Sequence, residues 1–541
     1  MPGLTRHPDP ETNIGQQKTW IPAGVYPRDC GAGMTHYCLM KQFLKSSWSF
    51  LLLAVLSFTF HLSFLSHPSQ VVFDEVHFGK FVAAYSTGQY YFDIHPPLGK
   101  LLIAGLVKLT GANPVFDFEK IGESLPTNSL FAMRFLPAFF GGLFVLTFAW
   151  LAWLISQNKT VALLAGFLIL LDNAVLVQSK FILVDIFLIF FEVLTLCFFF
   201  LWQRQKSFGA KWFSYLFLTA IFFGLTISIK WTGVATIGII GVILSTKIFS
   251  QRITSYLELT TPPLLNKGGA GGGNSELKNY PSSILPSSEG RRNYIQKSIE
   301  GIVSLFIILF IAFLIYLLPF YLHFQLLPKS GPGDAFMSQP FQQELQYGRD
   351  NVYQPLNFWQ KFIELNKTMY TANASILSEH PFGSKWYSWP LNSKPIYYWN
   401  QESIDGLPNW KAKIYFSGNP VLWWLSAFAV IFNIFKMFTK KGLKRLSPIF
   451  YILLLGYFAN LLPFILITRV AFLYHYLLSS FYAILILSLL LSKFWPKEKK
   501  VFLSAIILIA LGFIILSPLS YGWPMPAAID TFETMFIGLF H

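Results

Sequence analysis

The sequence predicts an all-α polytopic membrane protein with about eleven transmembrane helices. Three observations carry that prediction. Of the 541 residues 54% are hydrophobic and only 12% charged, roughly half the charged share of an ordinary soluble domain. Many apolar runs reach the ~20 residues that a helix needs to cross a bilayer. These runs are continuously apolar, where the strands of a membrane barrel would alternate, and backbone groups in lipid must be satisfied within the segment, so helices are expected.

In chain order, spans are expected at 48–66, 131–154, 160–178, 182–202, 212–229, 233–249, 299–321, 419–437, 446–467, 471–492 and 501–518. The first follows a polar tail, 1–47, too long for an ordinary cleaved signal peptide, and is expected to be a retained anchor. Lys and Arg set the orientation. Three basic loops carry Arg204, Lys206 and Lys211, then Lys436 to Arg445, then Lys493, Lys497, Lys499 and Lys500. With eleven spans and a cytoplasmic N-terminus all three fall on the cytoplasmic side, and the tail Tyr521–His541, without Lys or Arg, falls on the other. The segment Pro96–Thr110 is apolar but short and holds Lys100 and Lys108, so a juxtamembrane or re-entrant outer helix is expected.

These spans divide the chain. An N-terminal transmembrane module, 48–248, contains an outer loop at 67–130. A flexible cytoplasmic loop, 249–298, follows, with the glycine-rich run Lys267–Asn274. One helix, 299–321, leads to a large outer loop, 322–418, whose density of Trp and Tyr implies folding. A C-terminal four-helix region with an outer tail fills 419–541. The net charge of +15 sits mostly in short loops, which is an orientation signal and does not point to nucleic acid. Cys30, Cys38 and Cys197 have neither a disulfide framework nor metal-ligand spacing.

The candidate chemistry lies on the outer side. The first outer loop opens with Phe73-Asp74-Glu75-Val76-His77-Phe78. Adjacent carboxylates at a membrane surface raise each other's proton affinity, and one of them could accept a proton from a hydroxyl. The competing reading is a solvated acidic turn. His95 precedes the stiff pair Pro96-Pro97, where it could touch a phosphate or sugar, or simply fill a rigid turn. Arg134, Lys180, Lys230 and Arg469 stand at outer ends of spans. Converging there, they would form an anion site; singly, each could snorkel to the headgroups. Asp172, Asn173 and Asp185 flank an expected hairpin, Gln178–Phe181, and are expected to hold the outer face together by pairing with Arg134 or Lys180.

Phe73–Gly79 and Asp93–Lys100 together resemble the protein O-mannosyltransferase family. Further similar blocks are Phe116–Gly122, Met133–Ala138, Leu171–Ala174, Gln178–Asp185, Ser228–Gly233, His380–Pro390, Gly418–Pro420 and Arg469–Tyr476. The resemblance covers most of the chain outside the N-terminal tail and the glycine-rich loop. It implies a GT-C membrane glycosyltransferase fold and inverting transfer of mannose from a polyprenyl or dolichyl phosphate to Ser or Thr of proteins. It gives Asp74 the role of base, with Glu75 positioning Asp74, the acceptor or the sugar. Arg134 and Lys230 would meet the donor phosphate, and His95, His380 and Arg469 the sugar or phosphate. No metal cluster or cofactor is expected, with room for a loosely bound divalent cation. Implied partners are the lipid donor, membrane lipids and secreted or membrane protein acceptors, and no nucleic acid. An oligomer is open, since eukaryotic members form dimers. The outer loop 322–418 is too short for the β-trefoil MIR module of eukaryotic members, so a MIR-free, bacterial-type member is expected in the plasma membrane, with the endoplasmic reticulum as second choice. The rivals are a related enzyme that glycosylates a lipid such as lipid A, a transporter, or a non-catalytic scaffold.

Overall fold

A computed structural model gives the fold and describes residues 47–246, 288–375, 380–404, 406–439, 448–529 and 531. The tail before Ser47, most of the expected flexible loop and the last residues of the outer tail lie outside the described residues.

The protein is a multi-pass helical membrane protein. The helices α1 (Ser47–Leu62), α4 (Thr127–Ser156), α5 (Lys159–Leu170) with α6 (Asn173–Lys180), α7 (Asp185–Trp202) and α8 (Ala210–Ile227) occupy the first five expected spans. α9 (Trp231–Thr246), α10 (Ser288–Leu326), α13 (Pro420–Met437), α14 (Pro448–Leu461), α15 (Leu477–Leu491) and α16 (Lys499–Tyr521) occupy the other six. Among the described residues eight of these elements are long and apolar enough to cross a bilayer, once short helical turns extend α14 to Ile465 and start α15 at Leu473, and α5 with α6 makes a ninth that is bent by 61°. α1 and α9 are shorter apolar helices. α10 starts within the segment expected to be linker.

The bend has a local cause. Asp172 restarts the chain as a helix, its Oδ1 accepting from the amides of Ala174 (3.1 Å) and Asn419 (3.3 Å), its Oδ2 from Trp423 Nε1 (3.1 Å). Asn419 Nδ2 donates to the carbonyls of Leu171 and Ile509. The break is thus where the C-terminal helices dock onto the N-terminal module. Gln178–Lys180, expected as a hairpin, are instead the buried last turn of α6. Asp172 and Asn173 hold α13 and α16, not Arg134 or Lys180; Lys180 stands at the opposite end of α6 from them.

A second layer covers one end of the bundle. It contains α2 (Glu75–Thr87), α3 (Leu98–Thr110), α11 (Gln339–Tyr347) and α12 (Phe358–Ala374). It also contains a small antiparallel sheet, an addition to the all-α expectation, of β1 (Ile396–Gln401), β2 (Trp410–Phe416) and β3 (Met525–Pro526) in that order. Tyr, Trp and Ile dominate β1 and suit a half-buried pleated surface. β3 comes from the tail beyond α16, with Lys411 opposite Met525. The two outer loops join, as their expected common side requires: Phe73 N donates to Tyr398 O (3.0 Å), Trp399 Nε1 to Gln70 Oε1 (2.7 Å) and Tyr90 N to Lys329 O (2.8 Å). α3, at 13 residues, is a short surface helix, as expected. Its start sits against the segments that lead into α7 and α9, since a Cβ on Gly99 would lie 2.7 Å from Val184 Cγ1, and Leu98 N donates to Ser228 O (3.2 Å).

Candidate active site

Asp74 stands immediately before α2, half-buried, and its carboxylate makes no hydrogen bond among the described residues. The preceding Phe73 has φ 46°, in the left-handed region that a residue with a side chain rarely takes. Burial pushes the Asp74 carboxyl up to about 7, opposed by nearby Lys230 and reinforced by the negative charges of Asp185 and Asp93. A carboxylate poised there is half ionised at neutral pH and accepts protons far better than an ordinary aspartate.

Glu75, the next residue, faces the opposite way. It is fully buried and forked by Arg134, with Arg134 Nε to Glu75 Oε1 at 2.7 Å and Arg134 Nη2 to Glu75 Oε2 at 2.6 Å. The amides of Val72 and Ile182 complete its shell. Arg134 gives its remaining donors to the carbonyls of Leu65, Pro68 and Gln70. A guanidinium has five N–H donors, and all five are used here. This corrects two expectations. Arg134 has no donor left for a phosphate and is itself fully buried. Glu75 is a fixed strut that anchors α2 to α4, and it does not raise the proton affinity of Asp74, because its charge is neutralised in place.

The cations that do converge come from other elements. A small, partly open hollow is lined by His95, Asp185, Lys230, Arg469, Tyr474, His475 and Asn373, with apolar walls from Leu188, Ile189, Trp231, Leu477 and Leu478. Lys230 precedes α9 in an extended conformation, and its ammonium donates to Asp185 Oδ1 (2.7 Å) and lies 5.3 Å from the Tyr474 ring centre. Arg469 pairs with no carboxylate among the described residues. His95 is held by its own carbonyl, which accepts from Lys100 Nζ (2.8 Å), while Lys100 also pairs with Asp93. Burial, then Lys230, Lys100 and Arg469, pushes the His95 imidazole well below its usual range, so it stays neutral and serves as a hydrogen-bonding group, not a cation.

The remaining expected residues lie elsewhere. Lys180 is buried, donating to the Ser63 carbonyl and facing the Tyr521 ring at 4.8 Å. His380 is exposed and packs on Phe472, 5.1 Å between ring centres, outside the hollow. The block that carries it serves as a brace. Ser384 N donates to Ala471 O (2.8 Å), and Trp389 stacks on His475, so the block holds the strip that contains Arg469 and His475.

A family model described as dolichyl-phosphate-mannose-protein mannosyltransferase matches residues 51–328, and a second, the C-terminal four-transmembrane region of protein-O-mannosyltransferase, matches 358–536. The chain belongs to the protein O-mannosyltransferase family. Among curated relatives, the Candida albicans dolichyl-phosphate-mannose–protein mannosyltransferase 4 is 33% identical over 52% of this chain and 33% of its own length. Protein O-mannosyltransferase 1 of Drosophila melanogaster is 30% identical over 57% of this chain and 30% of its own length. The match thus spans about a third of these relatives. The fold is shared with a chain of the Saccharomyces cerevisiae protein O-mannosyltransferase complex bound to the sugar donor (TM-score 0.72, 20% identity, 88% of this chain and 90% of that one).

Within this O-mannosyltransferase frame, the structure brings Asp74, His95, Lys230 and Arg469 together and leaves Arg134 and His380 outside. Tyr474, His475 and Asn373 line the hollow and were not expected there. The strip Phe472–Tyr476 stands out in the sequence as a family-like block, so its proximity to Arg469 was the available signal. Asn373 stands out locally only as the first residue of the glycosylation sequon Asn373-Ala374-Ser375, which does not point to this hollow, and it arrives from the far end of α12.

Proposed function

We propose that this O-mannosyltransferase-family chain transfers mannose from a polyprenyl (dolichyl-type) phosphate to Ser or Thr hydroxyls of proteins, with inversion at the sugar's C1. One observation carries the reading: a half-buried carboxylate with proton affinity near neutral pH stands beside a hollow that has cations and apolar walls. The names of the relatives and the donor-bound yeast complex support it.

The hollow suits a lipid phosphate. Leu188, Ile189, Leu477 and Leu478 offer an isoprenoid a wall, and Lys230 and Arg469 offer positive charge to the phosphate. The acceptor hydroxyl attacks C1 from the face opposite the phosphate. As the new C–O bond forms, the hydroxyl proton passes to an Asp74 oxygen, and the C1–phosphate bond breaks with its electron pair going to the phosphate. The lipid phosphate needs no proton, because fixed positive charge stabilises it, and each well-placed donor contributes about 3 kcal/mol. His95, neutral and tethered, fits a hydrogen bond to sugar or phosphate. The active site faces the extracytoplasmic side on this reading, which rests on the basic short loops and on the tail returning to the outer layer as β3; the outer loop 322–418, too short for a MIR module, favours a bacterial plasma membrane over the endoplasmic reticulum.

The test is reconstitution in proteoliposomes with radiolabelled polyprenyl-phosphate mannose and two acceptors offered together, a Ser/Thr peptide and a lipid. Label on the peptide, sensitive to base-catalysed elimination, is the expected result. Label on the lipid alone would replace this reading with that of a lipid-modifying glycosyltransferase.

A further inference from the structure

We infer that Tyr398 and Gln178 are positioning residues that couple the base to the phosphate hollow, an inference that rests on the proposed transfer. Tyr398, on β1, holds the backbone in front of Asp74 in two ways. Its carbonyl accepts the Phe73 amide at 3.0 Å, and its ring stacks on the Phe73 ring at 4.0 Å between centres, 9° from parallel. Phe73 is the residue at φ 46°, a conformation that persists only where surroundings over-determine it. Tyr398 supplies that constraint on the residue that aims Asp74.

The same tyrosine reaches the other side of the site. Its hydroxyl donates to Gln178 Oε1 (2.8 Å), Gln178 Nε2 donates to Asp185 Oδ2 (2.9 Å), and Asp185 Oδ1 accepts from Lys230 Nζ (2.7 Å). Tyr398, Gln178, Asp185 and Lys230 are all buried, so water competes weakly for these bonds. Asp185 therefore has two neighbours to serve. One oxygen holds Lys230 at the hollow, and its charge lies close enough to Asp74 to raise that carboxyl's proton affinity. Gln178 fixes Asp185 between them, and Tyr398 fixes Gln178, since an amide that receives a hydroxyl on its oxygen must present its N–H groups the other way. Three separated stretches, β1, the last turn of α6 and the start of α7, thus set one relation between proton acceptor and cation.

Transfer kinetics of three variants in proteoliposomes test this: Tyr398→Phe, which keeps the stacked ring and removes only the hydroxyl; Gln178→Met, which keeps length and removes the amide; and both together. Each single variant is expected to lower kcat about tenfold with KM for the lipid donor unchanged. The double variant should be no worse than either single, because both cut one chain. With Asp185 no longer fixed by Gln178, the opposing influences of Lys230 and Asp185 on Asp74 fall out of balance and the acid limb of the rate profile shifts. Losses that multiply to about a hundredfold in the double variant, or an acid limb that stays in place, would overturn the coupling and leave two independent packing defects. Wild-type protein that transfers no mannose would instead sink the proposed function, a separate outcome visible before any variant is made. Melting temperatures within a few degrees of wild type keep the kinetic comparison interpretable.

Discussion

Arg134→Lys would leave Glu75 buried with two amide donors and no matching fork. A lysine is a point charge with three donors and cannot reproduce five bonds fixed in a plane. The expected outcome is destabilisation by about 3–5 kcal/mol, the usual effect of breaking a buried pair, read as lower yield and melting temperature. Whatever folds should keep its KM for the lipid donor. At Asp74 the sign is opposite. Its folded carboxyl titrates near 7, above its unfolded value, so the native state binds more protons between about pH 4 and 7 and loses stability as pH rises through that window. Asp74→Asn therefore raises thermal stability above pH 7, measurable as a melting shift that vanishes near pH 4, even as it removes the proposed base. Lys230 and Arg469 were legible because cations at the outer ends of apolar runs are few, and Asp74 and His95 because they sit in the family-like blocks of the first outer loop. Arg134 looks the same as Lys230 in sequence. What separates them is the set of carbonyls between Leu65 and Gln70 that the fold brings to one and not the other.

Elements decide whether those residues meet. α3 reaches the site because Gly99 lets it rest on Val184 and Ile229, the residues just before Asp185 and Lys230. Gly99→Val pushes α3 outward, since even a Cβ falls within 2.9 Å of Val184 Cβ, and should cut transfer at least tenfold, with a loss of about 1–3 kcal/mol from overpacking. The Asp172–Asn419 junction is the element-scale staple. Asn419→Ala removes the cap of α13 and both bridging bonds, and should lower stability by about 2–4 kcal/mol in thermal melts. Spans were legible because a bilayer demands long apolar runs. The bend within 160–178 was not, since hydropathy averages over Asp172 and a capping bond to Asn419 spans 247 residues of sequence. Nor was the sheet, whose third strand is two residues from the distant tail.

At the scale of the whole molecule, the site is a seam between the outer layer and the bundle. Asp74 and His95 come from the first outer loop, Asn373 from α12, and the cations and apolar wall from the outer ends of spans. On the proposed reading, such a seam would receive a lipid from the bilayer and a peptide from the aqueous side. Arg469→Ala should then raise KM for the lipid donor about tenfold and leave KM for the peptide near wild type, measured by varying each substrate in turn. The seam itself was invisible in sequence, because its parts are up to about 400 residues apart and only the docking of 322–418 over 67–130 closes it.

The most direct test of the central claim is the pH dependence of single-turnover mannose transfer by wild-type and Asp74→Asn protein in the same proteoliposomes. The wild-type rate should fall tenfold per unit below about pH 7, and the variant should be slower by about a thousandfold with no such limb. A variant that keeps the wild-type rate and its acid limb would show that the proton goes to some other group.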